Sequence, residues 1–222
     1  MVMSMKKIDY SIMETLMTST DKVFNLDKLG INEFHNILLI TGIPGSGKST
    51  LAEDISKKIP ADVIHLDNYF ETPDKQGRNK SFDRYLKKSL PEFTKVTKNW
   101  ESVYRSARDQ FSTDYNFYWD TMDKFRDEIF DFSFKQYSKR LVIVEGVQIG
   151  EQEFDPSRES RISRMRFYPT IIRIPDPVVS VNRMNSRDSN SPEAEEFKQQ
   201  IVWMESYADD FRSLAEEIEW KK

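Results

Sequence analysis

The segment that most restricts this chain is residues 36–58. Asn36-Ile37-Leu38-Leu39-Ile40-Thr41 is a short apolar run that stops at Gly42. It shows no alternation of apolar and polar residues, so it reads as a strand buried on both faces, the kind found in parallel sheets covered by helices. From Ser49 onward, Leu51, Ala52 and Ile55 recur on one helical face until Pro60 ends the pattern. Between strand and helix lies Gly42-Ile43-Pro44-Gly45-Ser46-Gly47-Lys48-Ser49, followed by Thr50. It fits G-x-x-x-x-G-K-[ST] at every position and in the right context. Glycines let the backbone wrap closely enough for consecutive N–H groups to face one anion, and the helix start adds its partial positive charge. The loop therefore predicts polyphosphate binding across residues 42–50. Lys48 would reach the β- and γ-phosphates of ATP, and the Ser49 hydroxyl would ligate Mg²⁺.

The rest of the chain extends this unit. Val63-Ile64-His65-Leu66 reads as a second strand ending at Asp67, which completes a βαβ unit. Leu141-Val142-Ile143-Val144 reads as a third, ending at Glu145-Gly146, and Tyr168 to Ile174 as a fourth. Asp176-Pro177 has the chemistry of an N-cap followed by proline at the first helical position, predicting a helix to about Arg187. Ser191-Pro192 repeats that signal before a long C-terminal helix through Phe197, Ile201, Met204, Phe211 and Leu214. Residues 1–35 read as a helical N-terminal extension, on the spacing of Ile8, Ile12, Leu16 and Met17, closed by Gly30. Residues 70–138 hold most of the aromatics and read as a helical lobe inserted after the second strand. The stripe Trp100, Tyr104, Ala107, Phe111 has the spacing of helix core. Residues 151–166 read as a charged loop. There Arg158, Arg161, Arg164 and Arg166, offset by Glu153, Asp155 and Glu159, predict an exposed mixed-charge surface. The expected fold is α/β: a three-layer α/β/α sandwich around a parallel sheet, with its ligand at the carboxyl ends of the strands.

Composition removes several alternatives. With no cysteine there are no disulfides and no thiolate zinc site, and two histidines, His35 and His65, do not make a His-rich metal centre. The longest clean apolar run, Ile37–Ile40, is too short to span a bilayer, and the first ten residues lack the apolar core of a signal peptide. The expectation is a cytoplasmic protein without a membrane partner. A net charge of −4 does not favour non-specific nucleic-acid binding.

Two further groups carry chemistry. Glu145 ends an apolar strand beside the phosphate loop, where a carboxylate holds Mg²⁺ directly or through water. Arg183 and Arg187 are four residues apart and share a helix face, which by itself reads as a solvated surface. Taken in order, the loop at 42–50, Leu66-Asp67-Asn68-Tyr69-Phe70, Val144-Glu145-Gly146 and Arg183-Met184-Asn185-Ser186-Arg187-Asp188 resemble the P-loop kinases, the group that includes uridine kinase, phosphoribulokinase, polynucleotide kinase and zeta-type toxin kinases. The resemblance spans residues 36–190 within a kinase domain of 36–222. It implies that Asp67 orients the acceptor hydroxyl and takes its proton; the alternative reading of the residues is a turn aspartate after a strand. It implies that Arg183 and Arg187 belong to a lid, about 183–192, that neutralises charge on the transferring phosphoryl group. The ending, one long helix after the lid, is closer to polynucleotide kinase, whereas the Val-Glu-Gly turn is closer to uridine kinase or the toxin kinases. The implied activity is transfer of the ATP γ-phosphoryl group to a hydroxyl of a small nucleoside-, nucleotide- or sugar-like acceptor. A nucleic-acid end or base, or a nucleotide-sugar, is the alternative acceptor. From another class, an ATP-hydrolysing switch acting on a partner competes. A GTPase lacks support, because the chain has no Asn-Lys-x-Asp signature.

Overall fold

The computed structural model describes residues 11–31, 33–67, 141–150 and 158–220, with single positions between 106 and 120. The lobe expected at 70–138 lies outside the described residues apart from those positions. The chain divides into two compact units, residues 1–64 with 137–222, and residues 65–136. The first of these holds the sheet.

Five strands form that sheet: β1 (Asp21–Phe24), β2 (Ile37–Gly42), β3 (Ala61–His65), β4 (Leu141–Glu145) and β5 (Thr170–Arg173). Their order is β1-β5-β2-β4-β3. Strand β2 runs parallel to both β4 and β5, while β1 pairs antiparallel with β5. The sheet is therefore mixed and mostly parallel, not the all-parallel sheet expected. Every residue of β2 and β4 is buried, as their uninterrupted apolar runs require.

Helices flank the sheet: α1 (Ser11–Glu14), α2 (Lys48–Lys58), α3 (Arg158–Phe167), α4 (Pro177–Arg187) and α5 (Ala194–Trp220). Helix α2 packs over β2 and β4. Its Leu51, Ala52 and Ile55, with Ile59 just after it, share one apolar cluster with Leu38 and Ile40 of β2, Leu141 and Ile143 of β4, and Ile171 of β5. The period of two along each strand puts these alternate residues on one face. The chain leaves β2, crosses by α2 and enters β3 beyond the place later taken by β4, while β5 lies on the other side of β2. The carboxyl end of β2 is thus a point where connections diverge, the usual location of a ligand crevice in open α/β sheets.

Two stretches differ from their sequence reading. Of the segment expected to be a helical extension, residues 1–10, Ile8 among them, lie outside the described residues; the described part holds α1 and then the edge strand β1. Ile12, Leu16 and Met17 pack against the core, so the apolar spacing marks burial. Strand β1 exists because the edge of β5 offers unpaired backbone groups; Phe24 is buried on its inner side while Val23 stays exposed. The charged stretch expected as a loop forms α3 from Arg158 onward, with Ile162 and Met165 three apart and buried. At α4, Asp176 caps as expected: its carboxylate accepts from the Val178 and Val179 amides at 2.8 and 3.4 Å, and Pro177 occupies the first helical position. No helix among the described residues is long and apolar enough to cross a membrane.

Candidate functional site

The glycine-rich loop joins β2 to α2 at the divergence point. Three of its residues have backbone conformations that L side chains rarely adopt: Gly42 (φ 134°), Gly45 (φ 70°) and Gly47 (φ 83°). Two of them also lack room. A Cβ on Gly42 would lie 2.0 Å from the Arg173 carbonyl oxygen, and one on Gly45 would lie 2.5 Å from that of Ser180 and 2.9 Å from the Met184 Cγ. The loop is therefore wedged between β5 and the first turns of α4. The Ile43 amide donates to the Arg173 carbonyl at 3.2 Å, and the Ser46 amide to the Ile43 carbonyl at 3.3 Å.

The polar groups converge on the same loop. Lys48 opens α2 and is only 7 % exposed; its Nζ arches back to donate to the Ile43 carbonyl at 3.0 Å. Ser49, one position on, donates from Oγ to Glu145 Oε1 at 3.0 Å. Glu145 is buried at the end of β4, in register with Ile40, and the next amide, Gly146, donates to the Ile40 carbonyl. Ile43 and Ser46 are buried, Pro44 is half-buried and Thr50 is exposed. The Ser46 Oγ is enclosed without a hydrogen-bond partner among the described residues. Such an orphaned hydroxyl costs about 1–3 kcal/mol unless something arrives to bond it.

Cations surround Gly47. Arg183, from α4, donates from Nη1 to the Ser46 carbonyl at a long 3.5 Å. Arg173, which the sequence reading did not single out, donates from Nη1 to the Gly47 carbonyl at 3.1 Å. Its Nε donates to Asp21 Oδ1 of β1 at 2.9 Å. The signal for Arg173 was present: a charge ending an apolar strand, the same argument that selected Glu145.

The remaining expected residues are placed differently. Arg187 does not accompany Arg183 to the loop. It is 71 % exposed and forks onto Asp188 at 2.8 and 3.2 Å. These hydrogen bonds from Arg187 hold the Asp188 carboxyl below the usual carboxylate range. If the loop turns over ATP, as its sequence leads us to expect, replacing Arg183 with alanine lowers that turnover by about 10–100-fold, and replacing Arg187 by less than about threefold. Paired steady-state kinetics on the two variants checks this; equal losses would show that both arginines serve the loop. Asp67 follows β3 by two residues, is exposed, and belongs to the second unit.

The arginines expected on an exposed surface are structural ties. Arg161 is 1 % exposed; it donates to the Gly150 carbonyl at 2.6 Å and pairs with Asp210 at 3.6 Å. Arg158 pairs with Glu217 and bonds Ser213. Arg164 donates to the Ile149 carbonyl and Arg166 to that of Glu217. They hold α3 against α5 and the short 3-10 turn Val147–Ile149, which explains why a charged stretch became a packed helix.

The donors suit Mg²⁺ and a polyphosphate. Magnesium takes hard oxygens in an octahedron at about 2.1 Å, which sets adjacent oxygens about 3 Å apart, and Ser49 Oγ and Glu145 Oε1 stand 3.0 Å apart. No group of three or more His, Asp or Glu able to hold a metal occurs among the described residues. A Mg²⁺ ion that shares phosphate oxygens needs only one or two protein carboxylates. The orphaned Ser46 hydroxyl and the clustered Lys48, Arg173 and Arg183 fit an anion at the loop. No protein-family model matches the chain, and no curated protein matches it.

Proposed function

We propose that this chain is an ATP- and Mg²⁺-dependent kinase of the P-loop class, a three-layer α/β/α sandwich, transferring the γ-phosphoryl group to a hydroxyl of a small nucleoside-, nucleotide- or sugar-like acceptor. The observation that carries the reading is the Ser49–Glu145 contact, 3.0 Å, formed beside a loop in which Gly42 and Gly45 have no room for side chains. It joins a phosphate cradle to a metal-holding carboxylate through residues 96 positions apart.

Each residue then has a task. The loop amides and the start of α2 bind the phosphates. Lys48 exchanges its bond to the Ile43 carbonyl for the β- and γ-phosphate oxygens. Ser49 and Glu145 would hold Mg²⁺, which supplies charge neutralisation on those oxygens when bound. Arg183 offsets the charge that spreads over the phosphoryl group as it moves. Asp67 orients the acceptor hydroxyl and accepts its proton, while the new oxygen–phosphorus bond forms and the bond to the ADP leaving oxygen breaks. Among acceptors a small molecule is favoured over nucleic acid.

The test is transfer of label from γ-labelled ATP with Mg²⁺ across nucleosides, nucleotides, sugars, nucleotide-sugars and oligonucleotides, with Lys48→Ala as the blank. A labelled product made only by the intact protein supports the kinase and names the acceptor class. Label reaching water alone across the panel sinks it in favour of an ATP-hydrolysing switch. With the acceptor in hand, Asp67→Asn is expected to leave ATP affinity within about twofold and slow transfer by about 10²-fold or more. Wild-type transfer by that variant removes Asp67 from the mechanism.

A further inference from the structure

We infer that Arg173 is a phosphate-contacting residue of the nucleotide site and that Asp21, on the edge strand, is its positioning residue; this rests on the kinase reading above. Arg173 grips the loop at both ends. Its backbone carbonyl accepts from the Ile43 amide at 3.2 Å, and its guanidinium donates to the Gly47 carbonyl at 3.1 Å. The side chain is nearly enclosed, 13 % exposed, against an Asp21 side chain that is 1 % exposed. Asp21 is itself fixed, because Oδ1 accepts from Arg173 Nε and Oδ2 from the Thr18 amide at 2.8 Å. The carboxylate thus holds the guanidinium in one direction, with Nη1 at Gly47, the N-cap residue of α2. Most of the N–H donors of the fork have no partner among the described residues.

The electrostatics point the same way. The Nη1 atoms of Arg173 and Arg183 lie 3.7 and 3.8 Å from the one point where a Gly47 Cβ would sit. Two guanidinium groups and the Lys48 ammonium therefore crowd one loop, and like charges at such range in a half-buried site repel. Asp21 offsets one of them. A polyphosphate offsets the rest, and a guanidinium fork matches its oxygens in pairs. An arginine needed only to pin β1 to the sheet would be satisfied by Asp21 alone; this one also holds the N-cap residue of α2. On this reading the edge strand is part of the nucleotide site.

The experiment is calorimetric titration of the full chain with Mg·ATP and with adenosine, for wild type, Lys48→Ala, Arg173→Gln, Arg173→Lys, Asp21→Asn and the double variant Asp21→Asn with Arg173→Gln. Glutamine still reaches the Gly47 carbonyl but carries no charge. Arg173→Gln is expected to weaken ATP binding about tenfold or more while adenosine binding holds. Asp21→Asn is expected to weaken ATP about two- to fivefold, with no further loss in the double variant, the coupling expected of residues acting as one unit. Where Arg173→Gln fails to fold, Arg173→Lys takes its place with an expected loss of at least about threefold, since an ammonium cannot hold Asp21 and a phosphate together. ATP affinity unchanged in the folded Arg173 variant, or equal losses for ATP and adenosine, overturns the inference and leaves the kinase reading intact if Lys48→Ala still weakens ATP binding and lowers transfer. A wild-type protein that does not bind Mg·ATP overturns the kinase reading, and this inference with it.

Discussion

Replacement of Lys48 by alanine is expected to lower kcat/KM for phosphoryl transfer by about 10³-fold or more, leaving the fold intact. The side chain is 7 % exposed, and its ammonium lies 3.0 Å from the Ile43 carbonyl inside the loop. A fixed charge in such a water-poor setting acts on developing negative charge without reorganising, and removing one donor of this kind costs about 3–4 kcal/mol at the transition state. Alanine is the best helix former and Lys48 is the first residue of α2, so the helix survives. Arg173 and Arg183 remain at the loop, so nucleotide binding should fall less than transfer does. Label transfer measured beside a thermal melt separates the two effects. Transfer within tenfold of wild type, by a variant with unchanged melting temperature, would remove Lys48 from the chemistry.

Replacement of Gly42 by alanine is expected to be the most damaging single-methyl change in the first unit. The added Cβ would meet the Arg173 carbonyl oxygen at 2.0 Å and the Arg173 backbone carbon and nitrogen at 2.8 Å. These are backbone atoms of the neighbouring strand, so no rotamer change relieves the clash. Strands β2 and β5 must part where Gly42 pairs with Arg173, breaking the Ile43 amide bond to the Arg173 carbonyl. The backbone at φ 134° adds its own strain. Together these put the cost at about 4 kcal/mol or more, a large share of the roughly 5–15 kcal/mol that holds an ordinary domain. The melting temperature should fall by about 10 °C or more, read by circular dichroism. Gly30→Ala is the control: it has a positive φ of 75° but nothing within 4 Å, so only conformational strain of about 1–2 kcal/mol applies. Equal melting of the two variants would show that the contact at Gly42 does not constrain the fold.

Much of the site was legible because its signals are local. An apolar run buried on both faces, glycines where phosphates need bare backbone, a lysine and hydroxyl at a helix start, and a carboxylate ending an apolar strand each declare themselves within a few residues. The Asp176 cap was readable for the same reason, since its acceptor and donors are two and three residues apart. Those features determined β2, α2, β4, the loop and the separate choice of Ser49 and Glu145; that the two side chains meet at 3.0 Å came from the fold.

Tertiary structure decided the rest. Asp21-Lys22-Val23-Phe24 has no strong pattern of its own; it becomes a strand because β5, about 150 residues away, presents a free edge. The arginines of α3 looked solvated because charge is costly to bury, yet Arg161 is enclosed where the Gly150 carbonyl and Asp210 reach it. Helical spacing put Arg183 and Arg187 on one face, but the packing of Ser180 and Met184 against Gly45 brings only Arg183 to the loop. Arg173 gained its place from two partners, Asp21 and Gly47, 152 and 126 positions distant. By itself the sequence determined where the backbone turns through bare glycines between β2 and α2, since that depends on local conformational freedom. Which cations surround it depends on pairing and desolvation between distant segments, and only the assembled sheet settled that.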